Sequence, residues 1–136
     1  MLDKLTKHHL GVVIDPAELP QLEAQLGKAF HEDATQGCRV AFRWNAVMGL
    51  HEEYIVREGR AAKYPLGFHH ICYAVRDEAE MAALEAWLKE GRRGFRLTFP
   101  EQSGSAECGV ISFWMIRGVG MAEFSLGGPV GQQAAS

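Results

Sequence analysis

Nothing in this sequence is long and apolar enough to cross a membrane. Its longest apolar stretches, such as Leu10 to Ile14, fall far short of the roughly 20 residues a spanning helix needs. No apolar run precedes a cleavage site near the N-terminus, so no signal peptide is expected. Cysteine is scarce: Cys38, Cys72 and Cys108 make neither a CxxC pair nor an even-numbered framework. That excludes a zinc ribbon and a disulfide-stapled secreted scaffold, and makes the cytoplasm the expected compartment. Charge of one sign is lacking too, since 14 Lys and Arg face 17 Asp and Glu for a net charge of −3. Neither nucleic acid nor an anionic membrane is therefore an expected partner. What remains, 136 residues with 47% apolar and 23% charged side chains, is an ordinary soluble domain spanning 1–136.

The chain repeats itself. His8-His9-Leu10-Gly11-Val12-Val13-Ile14-Asp15 is echoed by His69-His70-Ile71-Cys72-Tyr73-Ala74-Val75-Arg76, and both segments read as strands. Each is followed by a helix signal. Asp15, Pro16 and Glu18 precede a stripe of Leu19, Leu22, Leu26 and Phe30, and Asp77 precedes Met81, Leu84, Trp87 and Leu88. A weak strand is expected near 29–33, then Cys38 to Trp44 and Glu53 to Val56. The second half supplies Phe95 to Phe99, Gly109 to Ile116 and Met121 to Leu126, with turns at Glu101 to Gly104 and Gly118 to Gly120. The small, polar tail is expected to fray.

Strand alternation sorts the side chains. His9, Gly11 and Val13 share one face, and His70, Cys72 and Ala74 share the corresponding face of the echo. The bulkier Leu10, Val12, Ile14, Ile71, Tyr73 and Val75 fit the two helices. In the later strands Tyr54 and Val56 pack inward, as do Ala122, Phe124 and Leu126, which leaves Glu53 and Glu123 on the other side. Two histidines and two glutamates thus take corresponding places on the face the core does not need. Two imidazoles and two carboxylates suit a divalent ion, cancel its charge, and leave an octahedral ion about two open positions.

With these segments the chain resembles the vicinal oxygen chelate superfamily, and within it the glyoxalase and methylmalonyl-CoA epimerase-like proteins. The resemblance rests on "HHLGVVI", "GFHHICYAV" and "GVGMAEFSL", with "TQGCRVAF" entering a first-half strand. It implies an α+β fold of two tandem βαβββ modules, about 5–58 and 66–128 with a flexible tail at 129–136, forming a curved mixed sheet around a metal cleft. It implies metal ligands at His9, Glu53, His70 and Glu123, a divalent ion (Zn, Ni, Co, Mn or Fe), and a homodimer. The implied activity is that of a metal-dependent isomerase or lyase acting on a small carbonyl or thioester compound. The ion polarises the carbonyl and stabilises an enediolate, while Glu123 in first place and Glu53 in second take the α-proton. Epimerase-like chemistry leads and a glyoxalase I-type lyase follows. A ring-cleaving dioxygenase and a non-catalytic drug-binding protein are further alternatives.

Two departures from the epimerase pattern stand out. Val40 occupies the place of a second catalytic glutamate, and a short basic linker, Arg57 to Lys63, replaces a longer segment beside the substrate site. Strict alternation puts His8 and His69 on the face opposite their neighbours. A one-residue slip would substitute Glu52 for Glu53. His51 shares the parity of Glu53, and Cys72 reads as a small filler beside His70. Arg43, Arg57, Arg60, Lys63 and Arg117 are candidates for binding a substrate anion.

Overall fold

The computed structural model describes residues 1–105 and 108–127. The first half runs β1 (Thr6–Ile14), α1 (Leu19–Leu26), β2 (His31–Asp33), β3 (Cys38–Asn45) and β4 (Leu50–Val56). The second runs β5 (Gly67–Val75), α2 (Glu78–Glu90), β6 (Gly94–Arg96), β7 (Glu101–Gln102), β8 (Val110–Ile116) and β9 (Gly120–Leu126). All nine strands join one curved, unclosed sheet in the order β2-β3-β4-β1-β5-β9-β8-β6, with β7 also paired to β8. The halves meet where β1 and β5 pair antiparallel, and each of these strands has a parallel partner from its own half, β4 and β9.

Local chemistry explains the element ends. The Asp15 carboxylate accepts from the Ala17 N–H and caps a short 3-10 turn, Pro16–Glu18, that leads into α1. Gly27 then stops α1 in the left-handed region at φ 70°, where only glycine is free of strain. Phe30, expected in the helical stripe, therefore lies beyond the helix, yet it packs into the same cluster as Leu19. Asp77 caps α2 by accepting from the Glu80 N–H. The expected turn at Glu101 to Gly104 begins instead with the two residues of β7, held by Ile111 and Val110 of β8.

Three apolar clusters carry the packing. On the helix-covered face, Tyr73, Val75, Leu84, Leu88, Trp114 and Phe124 gather around α2. Ile14, Leu19, Phe30, Ala41 and Val56 gather around α1. Each fully buried Leu or Phe contributes roughly 1.5–3 kcal/mol. The third cluster lies on the opposite, concave face and draws on both halves, with Val13, Val40, Phe42 and Ile55 meeting Ile111. It closes the floor of the cleft. The expected fraying tail, 129–136, lies outside the described residues. No helix of the described residues is long and apolar enough to cross a membrane.

Candidate metal centre

Four strands deliver the candidate ligands, His9 from β1, Glu53 from β4, His70 from β5 and Glu123 from β9, and all four side chains are buried. They are the four innermost strands of the sheet. Register brings the side chains together. Gly11 lies between Glu53 on one side and His70 on the other, while Cys72 lies between His9 and Glu123. The two halves thus contribute in the same way across the β1–β5 seam.

The donor atoms converge. His9 Nε2 lies 3.0 Å from His70 Nε2. Glu123 Oε1 lies 3.0 and 3.1 Å from the two imidazole nitrogens, and Glu53 Oε1 lies 3.3 and 3.4 Å from them. Glu53 Oε1 is buried with no aligned hydrogen-bond donor among the described residues. Atoms about 2.0–2.2 Å from one cation are separated by roughly 3.0–3.4 Å at right-angled to tetrahedral geometry. The two imidazole nitrogens match that range with each other and with both carboxylates, and all four donor atoms lie within 4.8 Å of one another, so these side chains fit a single divalent ion. Glu52, one residue away, points elsewhere: its carboxylate accepts from the Tyr54 hydroxyl at 2.9 Å and lies 3.8 Å from Arg43.

Electrostatics follow from burying two carboxylates with two imidazoles. Burial opposes charge on His9, but the adjacent carboxylates of Glu123 and Glu53 outweigh it and raise the imidazole to about 9. Burial likewise opposes charge on the Glu123 carboxyl, yet hydrogen bonds from His70 and His9 hold it well below the usual carboxylate range. Without an ion, a proton on His9 offsets part of the carboxylate charge, and stability depends on pH accordingly. A raised imidazole stabilises the fold fully below its ordinary 6.5 and loses that contribution as pH rises through about 9. The ion-free protein should therefore show a falling Tm between pH 6.5 and 9. A divalent ion, which replaces that proton, should abolish the fall. A scanning calorimetry series with and without chelator measures both.

The surroundings extend the symmetry. The His9 ring meets the Phe42 edge at 5.3 Å, and the His70 ring meets Phe113 at the same distance. Phe42 pairs with Glu53 across β3 and β4, and Phe113 pairs with Glu123 across β8 and β9. Sequence reasoning passed over both phenylalanines, although each half carries one in the strand beside its glutamate. Gln36 was also missed. Its amide donates to Asp33 at 2.9 Å and to Glu53 Oε2 at 3.4 Å.

Strict alternation fails at His8 and His69. The β1–β5 register slips between Lys7 and His9 and again between Gly11 and Val12, opposite Phe68 to His70. Each slip is a β-bulge, in which an extra residue turns the local parity over. His8 therefore joins the concave face, where its Nδ1 lies 2.7 Å from His9 Nδ1 and its ring stacks on His51. His69 joins it as well, with Nδ1 2.8 Å from His70 Nδ1 and its ring against Tyr64. Burial, and then the neighbouring His9 or His70, lowers each of these outer imidazoles to about 4.

A cleft of about 330 Å³ lies beside the centre, lined among others by Gln36, Arg60, Tyr64, His69, Phe113 and Met121. Of the proposed anion-binding cations Arg60 lines it, and its guanidinium also donates to the Thr35 carbonyl at 2.9 Å. Arg43 faces Glu52, and Arg117 lines a different depression. Val40 is buried in the inner cluster opposite Ile55, so no carboxylate enters the cleft from that position. Cys72 is buried, and burial followed by the nearby Glu123 pushes its thiol well up.

The sequence matches no family model and no curated protein. Solved structures do match. A variant of the Streptomyces coelicolor methylmalonyl-CoA epimerase, in complex with 2-nitronate-propionyl-CoA, superimposes with a TM-score of 0.61 at 22% identity, covering 94% of this chain and 99% of that one. Methylmalonyl-CoA epimerase from Mycobacterium tuberculosis gives 0.62 at 16% identity over 91% and 89% of the two chains. A hypothetical protein from Bacillus halodurans gives 0.62 at 18% over 93% and 97%. Two helix-backed halves joined in one curved sheet over a central cleft, shared with these epimerases over nearly the full length, give this chain the fold of the vicinal oxygen chelate superfamily.

Proposed function

We propose that this chain is a metal-dependent isomerase or lyase that removes a proton from carbon next to a carbonyl, with epimerase-like chemistry on a small carbonyl or thioester substrate. The observation that carries this reading is the convergence of four buried donors, two imidazole and two carboxylate, all within 4.8 Å of one another beside a cleft. His9, Glu53, His70 and Glu123 would hold the ion. When bound, a divalent ion supplies Lewis acidity to the substrate carbonyl and so acidifies its α-hydrogen.

The side chains do the rest. Glu123 accepts the α-proton and returns it, to the opposite face of the same carbon in an epimerase or to the neighbouring carbon in a glyoxalase-type lyase, with Glu53 as the second carboxylate. In the ion-free site, hydrogen bonds from His70 and His9 hold the Glu123 carboxyl well below the usual carboxylate range. Phe42, Phe113 and the inner cluster exclude water from the base, which strengthens its interaction with the acidified carbon. Gln36 and Tyr64 line the approach, and Arg60 is the cation placed to meet an anionic substrate group. The thioester part of the reading is supported by the epimerase neighbours crystallised with 2-nitronate-propionyl-CoA and with methylmalonyl-CoA. A homodimer completes the reading, and sedimentation velocity tests it.

Val40 favours a glyoxalase-type lyase as the second reading. Epimerisation delivers a proton to both faces of one carbon, which a second carboxylate across the cleft would assist. A glyoxalase-type step moves a proton between adjacent carbons on one face and needs a single base. The fourth ligand, Glu53, counts against a ring-cleaving dioxygenase, which keeps three positions open beside two histidines and one carboxylate.

The test is α-hydrogen exchange in deuterated water, followed by NMR, with the zinc-, cobalt- or nickel-loaded protein. Exchange with inversion on methylmalonyl-CoA supports the epimerase. Turnover of a 2-oxoaldehyde hemithioacetal without inversion of the thioester supports the lyase. Stoichiometric ion binding with exchange of neither substrate would sink both.

A further inference from the structure

Each bulge places two imidazoles side by side, and the two doublets share one geometry. In both, the Nδ1 atoms of consecutive histidines lie 2.7–2.8 Å apart and the rings stand nearly perpendicular, with centroids 5.0 Å apart. In both, the inner imidazole turns its Nε2 toward the shared centre. A nitrogen that offers its lone pair to a cation leaves the ring proton on the other nitrogen. That second N–H needs an acceptor when buried. For His9 and His70 the acceptor within reach is the Nδ1 of the preceding histidine.

We infer that His8 and His69 are positioning residues, each accepting the Nδ1–H of the following histidine and so fixing His9 and His70 with the Nε2 lone pair toward the ion. The outer rings are themselves held. His8 stacks on His51 with centroids 5.3 Å apart, and His69 lies against Tyr64 at 4.4 Å. Neither His8 Nε2 nor His69 Nε2 has a hydrogen-bond partner among the described residues. With Nδ1 accepting, the outer ring carries its own proton on Nε2, so the doublet moves the unmet buried donor off the ligand histidine and onto its neighbour. In each the outer ring donates nothing to its neighbour and serves as the acceptor. The bulge is what makes this possible, since regular alternation would send the two rings of a doublet to opposite faces. The inference rests on the ion-binding reading above.

Its test is a comparison of His8→Leu and His69→Leu with His8→Asn and His69→Asn. Asparagine puts an amide oxygen close to where Nδ1 stood, whereas leucine fills the space without an acceptor. Zinc affinity is measured by competition with a chromophoric chelator, and the ligand field by the visible spectrum of the cobalt-loaded protein. Each leucine variant should bind zinc roughly 10–100-fold more weakly and shift the cobalt bands. Each asparagine variant should stay within a few-fold of the parent with unchanged bands. Nitrogen-15 NMR of the zinc-loaded parent should show His9 and His70 protonated at Nδ1. Leucine variants with parental affinity and spectrum, or asparagine variants as weak as the leucine ones, would overturn the positioning role alone. A parent protein that binds no zinc or cobalt would overturn the ion-binding reading itself, and this inference with it.

Discussion

Glu123→Gln is expected to lower the rate of α-proton exchange by roughly 10²–10⁴-fold, the range for loss of a general base, while the protein still folds and binds a divalent ion. Glutamine keeps an oxygen where Glu123 Oε1 lies 3.0 Å from His9 and 3.1 Å from His70, so a ligand atom survives. It cannot accept a proton. The informative control is Glu53→Gln, which changes charge and shape in the same way at the corresponding position of the first half. If Glu123 is the base, the Glu53 variant should lose no more than about tenfold. Single-turnover exchange at saturating ion separates the two, because weakened ion binding then no longer contributes. A large loss at Glu53 with a small one at Glu123 would reverse their roles.

Gly11→Ala should disable the centre with a single methyl group. A Cβ built on Gly11 falls 2.3 Å from His70 Cε1 and 2.5 Å from His70 Nδ1, well inside van der Waals contact. The His70 ring has little room to retreat, since it is buried, edged by Phe113 and held at Nδ1 by His69. Overpacking of this kind costs about 1–3 kcal/mol, and it displaces a ligand as well. The variant is expected to fold with a lowered Tm and to lose nearly all stabilisation by zinc. For the parent that stabilisation should reach about 2.7 kcal/mol at an ion concentration 100-fold above Kd. Cys72→Ala, at the matching position beside His9, should keep it. Thermal melts across a zinc series decide the matter, and an undiminished ion response in the glycine variant would show that the ring can move aside.

The strands that carry the four converging side chains were legible from the sequence because their pattern is local. Alternation of apolar residues separated Glu53 from Tyr54 and Glu123 from Phe124, and the structure places both glutamates on the concave face. The helix caps at Asp15 and Asp77 were equally local. The bulges were not legible. An extra residue in β1 or β5 is defined only against the partner strand, so His8 and His69 were assigned to the wrong face by a rule that holds for regular pairing. The two-residue β7 was hidden for the same reason, as its strand character comes from β8 alone. Gln36 lies in a turn with no periodicity, and its place beside Glu53 depends on how β3 folds back along β4. Phe42 and Phe113 stand out in the sequence only as apolar residues within strands, and the register alone sets them against the His9 and His70 imidazoles.

The ligand-bearing strands β4, β1, β5 and β9 lie at the middle of the sheet, and the outermost strands, β2 and β6, have three residues each. Partial opening of a sheet begins at its margins, where few hydrogen bonds must break. Fraying of those margins would leave four contacts to a bound ion intact, and dismantling them would require the whole domain to come apart. Amide hydrogens of the outermost strands should consequently exchange at rates indifferent to added zinc. Those of the central four should slow in step with the gain in global stability, so that the ion is felt by the molecule as a whole.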